Sequence, residues 1–479
     1  MNREAARDLD AARRVVDFAR GKGARFVEAR VITGGSVGLS VQDGRAERLG
    51  AGRVRGSCVR LISRGRWGFA STDGGSLRHL KETAEHALEL AASGRELGRP
   101  AAVAPRPRRK PQALVCSEDM ARDGEVGPGE LTAWAAKVLE LERAARKHAG
   151  KKAVNSIANY GRHGGRLVVA SSRGAAGVRW GRRSTSSLMV VVSEGRRGIQ
   201  RWSERVGRTG GGDLLAELRP EEFSRNAAER ALALLRARPA PGGTYPVILD
   251  PATGGVFVHE CLGHNAEADL VLSGQSLLDG RIGKRVASRH VTVVDDPTVR
   301  GAFGSYPFDS EGTPAERTEI IGRGVLKTYL HSLETAARMK ARPNGHGRSD
   351  GYSSPPIVRM SNTFFAPGTH KLDDMIGDVK RGLLLEHGSS GHVLSEKGHY
   401  TVRAGCGRLI ENGKLGELVR DVSISGLVLE SLKDIDAVSD DFELSSPGYC
   451  GKDGQDVPVD DGGAYVRLRK VVVGGRGKW

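Results

Sequence analysis

The segment His259-Glu260-Cys261-Leu262-Gly263-His264 restricts its own backbone more than any other stretch of this 479-residue chain. It puts two imidazoles and a carboxylate within six residues. That is the smallest donor set for a cation that activates water and for the base that deprotonates it. The familiar His-x-x-x-His spacing sets both rings on one face of a helix. Here the histidines are five apart. At about 100° per residue, five steps turn roughly 500° and leave the rings about 140° apart. A straight α-helix cannot aim both at one ion. The backbone must deform, through a π-bulge that gains a residue per turn or an unwound last turn at Gly263. Gly263 directly before His264 favours the unwound turn. The prediction is a helix that deforms to close a metal site.

A chain of this length exceeds one ordinary core and suggests two domains. Hydrophobic residues make up 38% and charged residues 27%, a soluble, globular balance. No apolar run is long enough to span a membrane, and Met1 to Ala6 is charged and helical rather than an apolar signal core. The expected location is the cytoplasm, with no membrane partner. Five cysteines (Cys58, Cys116, Cys261, Cys406, Cys450) are odd in number, scattered and without a Cys-x-x-Cys pair, which argues against a disulfide framework. The net charge of +17 would suit acidic partners or nucleic acid. The basic residues are spread along the chain, however, and only 5% of residues are aromatic, which argues against a nucleic-acid platform. The densest cluster, Arg106 to Pro111, reads as part of a Pro-rich solvated linker over residues 98–111.

Periodicity divides the chain near residue 240. Residues 3–20 repeat apolar side chains at helical spacing, and further helices are predicted over 76–92, 130–147 and 220–238. Between them, runs such as Phe26 to Val31, Val37 to Val41 (with Asp43-Gly44 as a turn), 53–62, 67–70 and short strands over 152–205 build a sheet. Arg238 to Gly243 reads as a boundary. Beyond it, Tyr245 to Asp250 is a buried strand leading into the motif helix, followed mostly by short strands and turns. The predicted class is α+β: an N-terminal α/β domain (1–240) with helices packed on a sheet, then a β-rich domain (241–479) carrying the metal-binding helix.

Two histidines hold a metal poorly, and a catalytic site needs three protein ligands and one open position. His290, His331, His346, His399, Cys406 and Cys450 are all candidates for the third, and spacing does not choose among them. Cys450 has the most suggestive context: it lies among glycines in Tyr449-Cys450-Gly451-Lys452-Asp453-Gly454-Gln455, where a turn could present the sulfur and Lys452 would favour the thiolate. Cys261 faces another side of the helix and is read as packing, His346 as a loop residue, and Asn362 and Phe364 as ordinary strand residues.

At this point the chain resembles the TldD/PmbA family of metalloproteases, on the catalytic TldD side. The resemblance rests on His259 to His264 followed by Glu267 and Asp269, and on Cys450 to Gln455. Val291 to Asp296, Phe308 to Thr313, Gly324 to Leu330, Arg359 to Thr363 and Arg66 to Ser71 add to it. It implies His259, His264 and Cys450 as metal ligands and Glu260 as general base, with Glu267 and Asp269 as candidates to orient a ligand ring. It also implies a cytoplasmic peptidase hydrolysing small peptides or unfolded polypeptides, working as a homodimer or with a non-catalytic paralogue. Three segments depart from the family pattern: Ser171 to Gly174, Val393 to Ser395, and Gly345 to Arg348, where His346 replaces a common Asn. A thiolate disfavours magnesium and calcium, so the expected ion is zinc, with iron and manganese compatible. The alternative reading is a basic, chaperone-like binding subunit whose metal is structural, its fourth ligand supplied by His346, His399 or Cys406.

Overall fold

The computed structural model describes residues 2–94, 100–105, 127–195 and 198–479. The N-terminal half is built on one antiparallel sheet of six strands in the order β3-β2-β1-β4-β5-β6. These are Phe26–Gln42 (β1), Arg45–Ser63 (β2), Arg66–Asp73 (β3), Ala153–Ser171 (β4), Ala176–Ser193 (β5) and Ile199–Thr209 (β6). The predicted short strands are therefore segments of much longer ones. Phe26 to Val31 and Val37 to Val41 belong to a single strand, and residues 152–205 form three. Glycines that read as breaks lie mid-strand, where Gly34 pairs with Gly165 and Gly35 with Gly164. A Cβ on Gly165 would sit 2.7 Å from the Thr33 carbonyl oxygen, so glycine is needed for the close approach of the two backbones.

Helices cover one face of this sheet at both ends. Arg3–Gly21 (α1) and Leu77–Ser93 (α2), capped by Asn2 and Ser76, bury Leu9, Val15, Val16 and Leu80 against Val27, Val31 and Val59. Pro128–Ala149 (α3) and the helix Pro220–Arg236 bury Trp134, Val138, Leu141 and Leu234 against Val37, Leu39, Val41 and Tyr160. The contacting β1 residues are all odd-numbered, so both helix pairs share one face. The even face meets the C-terminal half. There Arg30 and Arg60 bracket Glu28 at 3.5 and 3.3 Å, and Arg60 also pairs with Glu311. Of the predicted linker 98–111, residues 100–105 are docked rather than solvated. Ala101 N donates to Gly65 O (2.7 Å), Ala104 N to Leu333 O (2.8 Å), and Val103 and Ala104 are buried. The cluster Arg106 to Pro111, like Cys116, lies outside the described residues.

The C-terminal half is richer in long strands than the sequence suggests. Arg381–Leu394, Gly243–Leu249, Val466–Gly474, Ser423–Leu427 and His399–Glu411 pair in turn, and the last pairs back to the first, closing a ring of five. A second, six-stranded sheet ends with Val293–Asp295, Asn362–Phe365, Gln455–Gly463 and the edge strand Glu443–Lys452. The helix Pro251–Val258, capped by Asp250, is wedged between the ring strand Arg381–Leu394 and Gln455–Gly463. Among the described residues, no helix is long and apolar enough to cross a membrane.

That wedge predicts opposite outcomes for two adjacent glycines. A Cβ on Gly255 would collide with the backbone nitrogen of Gly462, whereas one on Gly254 meets nothing nearer than 3.7 Å. Gly255→Ala should cost about 1–3 kcal/mol through overpacking. Gly254→Ala should be neutral or gain up to ~1 kcal/mol from helix propensity. Urea-unfolding midpoints of the two variants check this.

Candidate metal centre

The motif is a helix that changes pitch. Pro251–Val258 is α-helical, His259–Gly263 is a π-turn, and His264–Ala266 is a 3-10 turn. The His264 N–H donates to the His259 carbonyl, an i to i+5 bond joining the two histidines themselves. A π-turn holds roughly 4.4 residues, so five steps bring the second ring back toward the first. The ring centroids are 5.2 Å apart. Of the two predicted deformations, the π form is the one adopted. Gly263 is not an unwinding point, because its φ of −55° and ψ of −54° are helical. It is glycine because the Met360 sulfur occupies the place a Cβ would take.

Each imidazole is fixed through Nδ1. His259 donates to Asp461 Oδ1 (2.9 Å), and His264 donates to Glu267 Oε2 (3.0 Å). The other faces of the rings turn to Cys450, whose Sγ lies 3.6 Å from His264 Nε2. The donor atoms of His259, His264 and Cys450 lie within 4.8 Å of one another, and among the described residues no other His, Cys, Asp or Glu joins them. Cys450 comes from the edge strand Glu443–Lys452. Arg359, fully buried, donates to the carbonyls of Cys450 and of Gln455 (2.9 Å for the latter) and so holds both strands of that hairpin.

Charge is arranged to keep the thiol ionised. Burial pushes Cys450 up, but hydrogen bonds to His259 and His264 and their positive fields bring it down to about 5. Burial alone would discharge the imidazoles. Asp461 and Cys450 nevertheless hold His259 well above the usual range, and Glu267 and Cys450 hold His264 at about 9. Lys452 has a different task from the one its sequence position suggests. Its Nζ donates to Glu267 (3.1 Å), Asp269 (2.7 Å) and the Val358 carbonyl (3.0 Å), not to the sulfur. Despite burial, Lys452 and His264 lower Glu267 to about 2. Asp269 thus touches Lys452 and the Val358 N–H rather than a histidine.

A divalent cation fits this donor set. Two Nε2 atoms and a thiolate converge, both Nδ1 positions carry carboxylate partners that keep the protons on those nitrogens, and a cation would displace only protons at Nε2. Glu260 is half-buried, with its Cγ pressed against Gly391 of the strand Arg381–Leu394. Cys261 is buried in the core. The other sequence candidates lie elsewhere. His346 is a buried loop residue bonded to Asp295 (2.9 Å), His331 faces Thr335, Cys406 faces Glu386, and His399 is exposed on its strand. Asn362 is tied to Asp296 and Ser305 inside its sheet, and Phe364 is buried beside it. Sequence reasoning missed Asp461 and Met360. The only trace of Asp461 is an acidic pair, Asp460-Asp461, directly before two glycines.

The fold and site define a protein in which two imidazoles from a deformed helix and a thiol from an edge strand converge, a donor set that could hold a metal ion. Family models agree: the PmbA/TldA metallopeptidase C-terminal domain matches residues 242–475, domain 1 matches 27–91 and the central domain 123–235. A metalloprotease of Methanothermobacter thermautotrophicus is 38% identical over 94% of this chain and 95% of its own length. Another from Methanocaldococcus jannaschii is 37% identical over 92% and 95%. A zinc metalloprotease TldD homolog of Saccharolobus solfataricus is 31% identical over 62% of this chain and 66% of its own. The crystal structure of TldE from Thermococcus kodakarensis shares the fold, with a TM-score of 0.74 at 19% identity, covering 96% of this chain and 99% of that one. The chain belongs to the PmbA/TldD family of metallopeptidases.

Asp461→Asn should keep the shape of the site while weakening the hold on the His259 ring. The expected loss of zinc affinity is about 10–100-fold, read by chelator competition. Cys450→Ser should lose more, because it removes a donor.

Proposed function

We propose that this protein is a zinc-dependent peptidase acting on small peptides or unfolded polypeptides, with His259, His264 and Cys450 holding the ion. The observation that carries the reading is the convergence of these three donors with no fourth protein ligand among the described residues. A structural zinc site fills all four positions with protein, whereas a catalytic one keeps one open. His346, His399 and Cys406, which a structural site would need, are not in the cluster. Bound there, zinc would supply Lewis acidity toward a peptide carbonyl and lower the pKa of a water. Glu260, next in chain to His259, accepts the proton of the attacking water and passes it to the leaving amine nitrogen. Its orientation comes from the π-turn below it and from Gly391 beside it.

Substrate access follows from sheet topology. The strand that carries Cys450 ends its sheet, so an extended peptide can add to that edge through backbone hydrogen bonds. Recognition of this kind reads main chain more than side chains, which suits short or unfolded substrates of varied sequence.

Two variants test the assignment. Glu260→Gln should retain wild-type zinc content and lose about 10²–10⁴-fold in kcat on an unstructured peptide. Unchanged cleavage would remove Glu260 from this role. Gly391→Ala leaves all three ligands untouched but puts a methyl where the Glu260 Cγ lies. It should lower kcat at normal zinc content, and an unaffected kcat would show that Glu260 acts from elsewhere.

A further inference from the structure

A cavity of about 1190 Å³ lies between the even face of the N-terminal sheet and the C-terminal half. It is on the opposite side of the Glu443–Gly463 hairpin from the metal centre. Cys450 and its partner Val457 join the C-terminal core, whereas their neighbours Tyr449 and Pro458 line the cavity. Its floor includes the paired mid-strand glycines Gly34, Gly35, Gly164 and Gly165, so a ligand can approach the sheet closely there.

The walls are mostly cationic, with seven arginines against the two carboxylates Asp350 and Asp456. Arg183 donates to the carbonyls of Phe303 (2.8 Å) and Ser305 (2.9 Å). Arg348, 5% exposed, donates to the carbonyls of Met360 and Pro458 (2.7 Å for the latter). The guanidinium of Arg348 lies 4.8 Å from the Tyr306 ring centroid, and that of Arg179 lies 5.4 Å from the same ring. Arg300 stands exposed at the rim. Among the described residues, Arg183 and Arg348 are held by backbone carbonyls and no carboxylate comes within ion-pair distance of either. The buried arginines Arg30, Arg60 and Arg166 are treated differently, each paired with a buried carboxylate. Burial and the nearby guanidiniums of Arg348 and Arg179 pull Arg183 down to about 9, as expected of a cation lacking a counter-charge. A guanidinium has five N–H donors, and each of these two spends only part of them on carbonyls.

We propose that this cavity binds a polyphosphate-bearing small molecule, anchored by Arg183 and Arg348. Guanidinium forks match the paired oxygens of phosphate, and a di- or triphosphate concentrates several negative charges within the span of neighbouring arginines. An acidic peptide carries one charge per side chain and spreads it along an extended backbone. The site is separate from the metal centre and does not depend on the peptidase reading.

The test is calorimetric titration of the full chain with inorganic pyrophosphate at fixed ionic strength. Saturable one-to-one binding is expected, and it should persist in Cys450→Ser, which separates the cavity from the metal centre. Arg183→Gln should weaken it roughly tenfold or more, at unchanged zinc content and peptide cleavage. Arg300→Gln, an exposed change that leaves the core intact, should weaken it several-fold and carries the test if Arg183→Gln does not fold. No binding at millimolar pyrophosphate would overturn the proposal. So would binding that Cys450→Ser abolishes and Arg183→Gln spares, or binding of a hexaglutamate peptide where pyrophosphate fails.

Discussion

One backbone hydrogen bond, from the His264 N–H to the His259 carbonyl, organises this protein's chemistry. It closes a five-residue turn and so converts an awkward histidine spacing into two rings facing one point. A π-turn is a poor stand-alone structure, and it persists here because its surroundings leave little alternative. The preceding helix is pressed onto the backbone of Gly462 through Gly255, and Met360 fills the space above Gly263. Asp461 and Glu267 then lock the two rings. Tight packing sets the backbone, and the backbone sets the donors.

The same region solves a problem of buried charge. A thiolate, two imidazoles, three carboxylates and an ammonium share a small volume, and an unpaired ion there would cost several kcal/mol. Each has a partner of opposite sign: Cys450 with the histidines, His259 with Asp461, His264 with Glu267, and Lys452 with Glu267 and Asp269. The chain Lys452, Glu267, His264 links the hairpin that delivers the sulfur to the turn that delivers the nitrogens. A displaced hairpin would therefore strand charges as well as remove the sulfur from the two imidazoles. Arg183 and Arg348 have no such partners among the described residues and, unlike Arg359, line a cavity, which marks that cavity as a place for an external anion.

How much of this was legible in the sequence depends on the range of the interaction. The five-residue spacing demanded a bent helix, because that constraint is purely local. The form of the bend was not legible, because Gly263 reads as a break in the helix, whereas it is glycine to make room for Met360, 97 positions away. Cys450 was singled out by its turn context and by family resemblance, not by spacing. Asp461 stayed hidden because it meets His259 across 202 residues and looks, locally, like the end of a strand. The helices α1 to α3 were legible from periodicity. The long strands were not, since Gly34, Gly35, Gly164 and Gly165 imitate turns and only their pairing across β1 and β4 shows why glycine is there.

The central claim is that one cation is held by a thiolate and two imidazoles with a position left open. The electronic absorption spectrum of the cobalt(II)-substituted protein reads all three features at once. The account predicts a near-ultraviolet thiolate-to-cobalt charge-transfer band and intense visible bands of four-coordinate geometry, the latter shifting when a small anionic inhibitor is added. A weak six-coordinate spectrum without sulfur charge transfer would contradict it, as would a tetrahedral spectrum that no inhibitor perturbs.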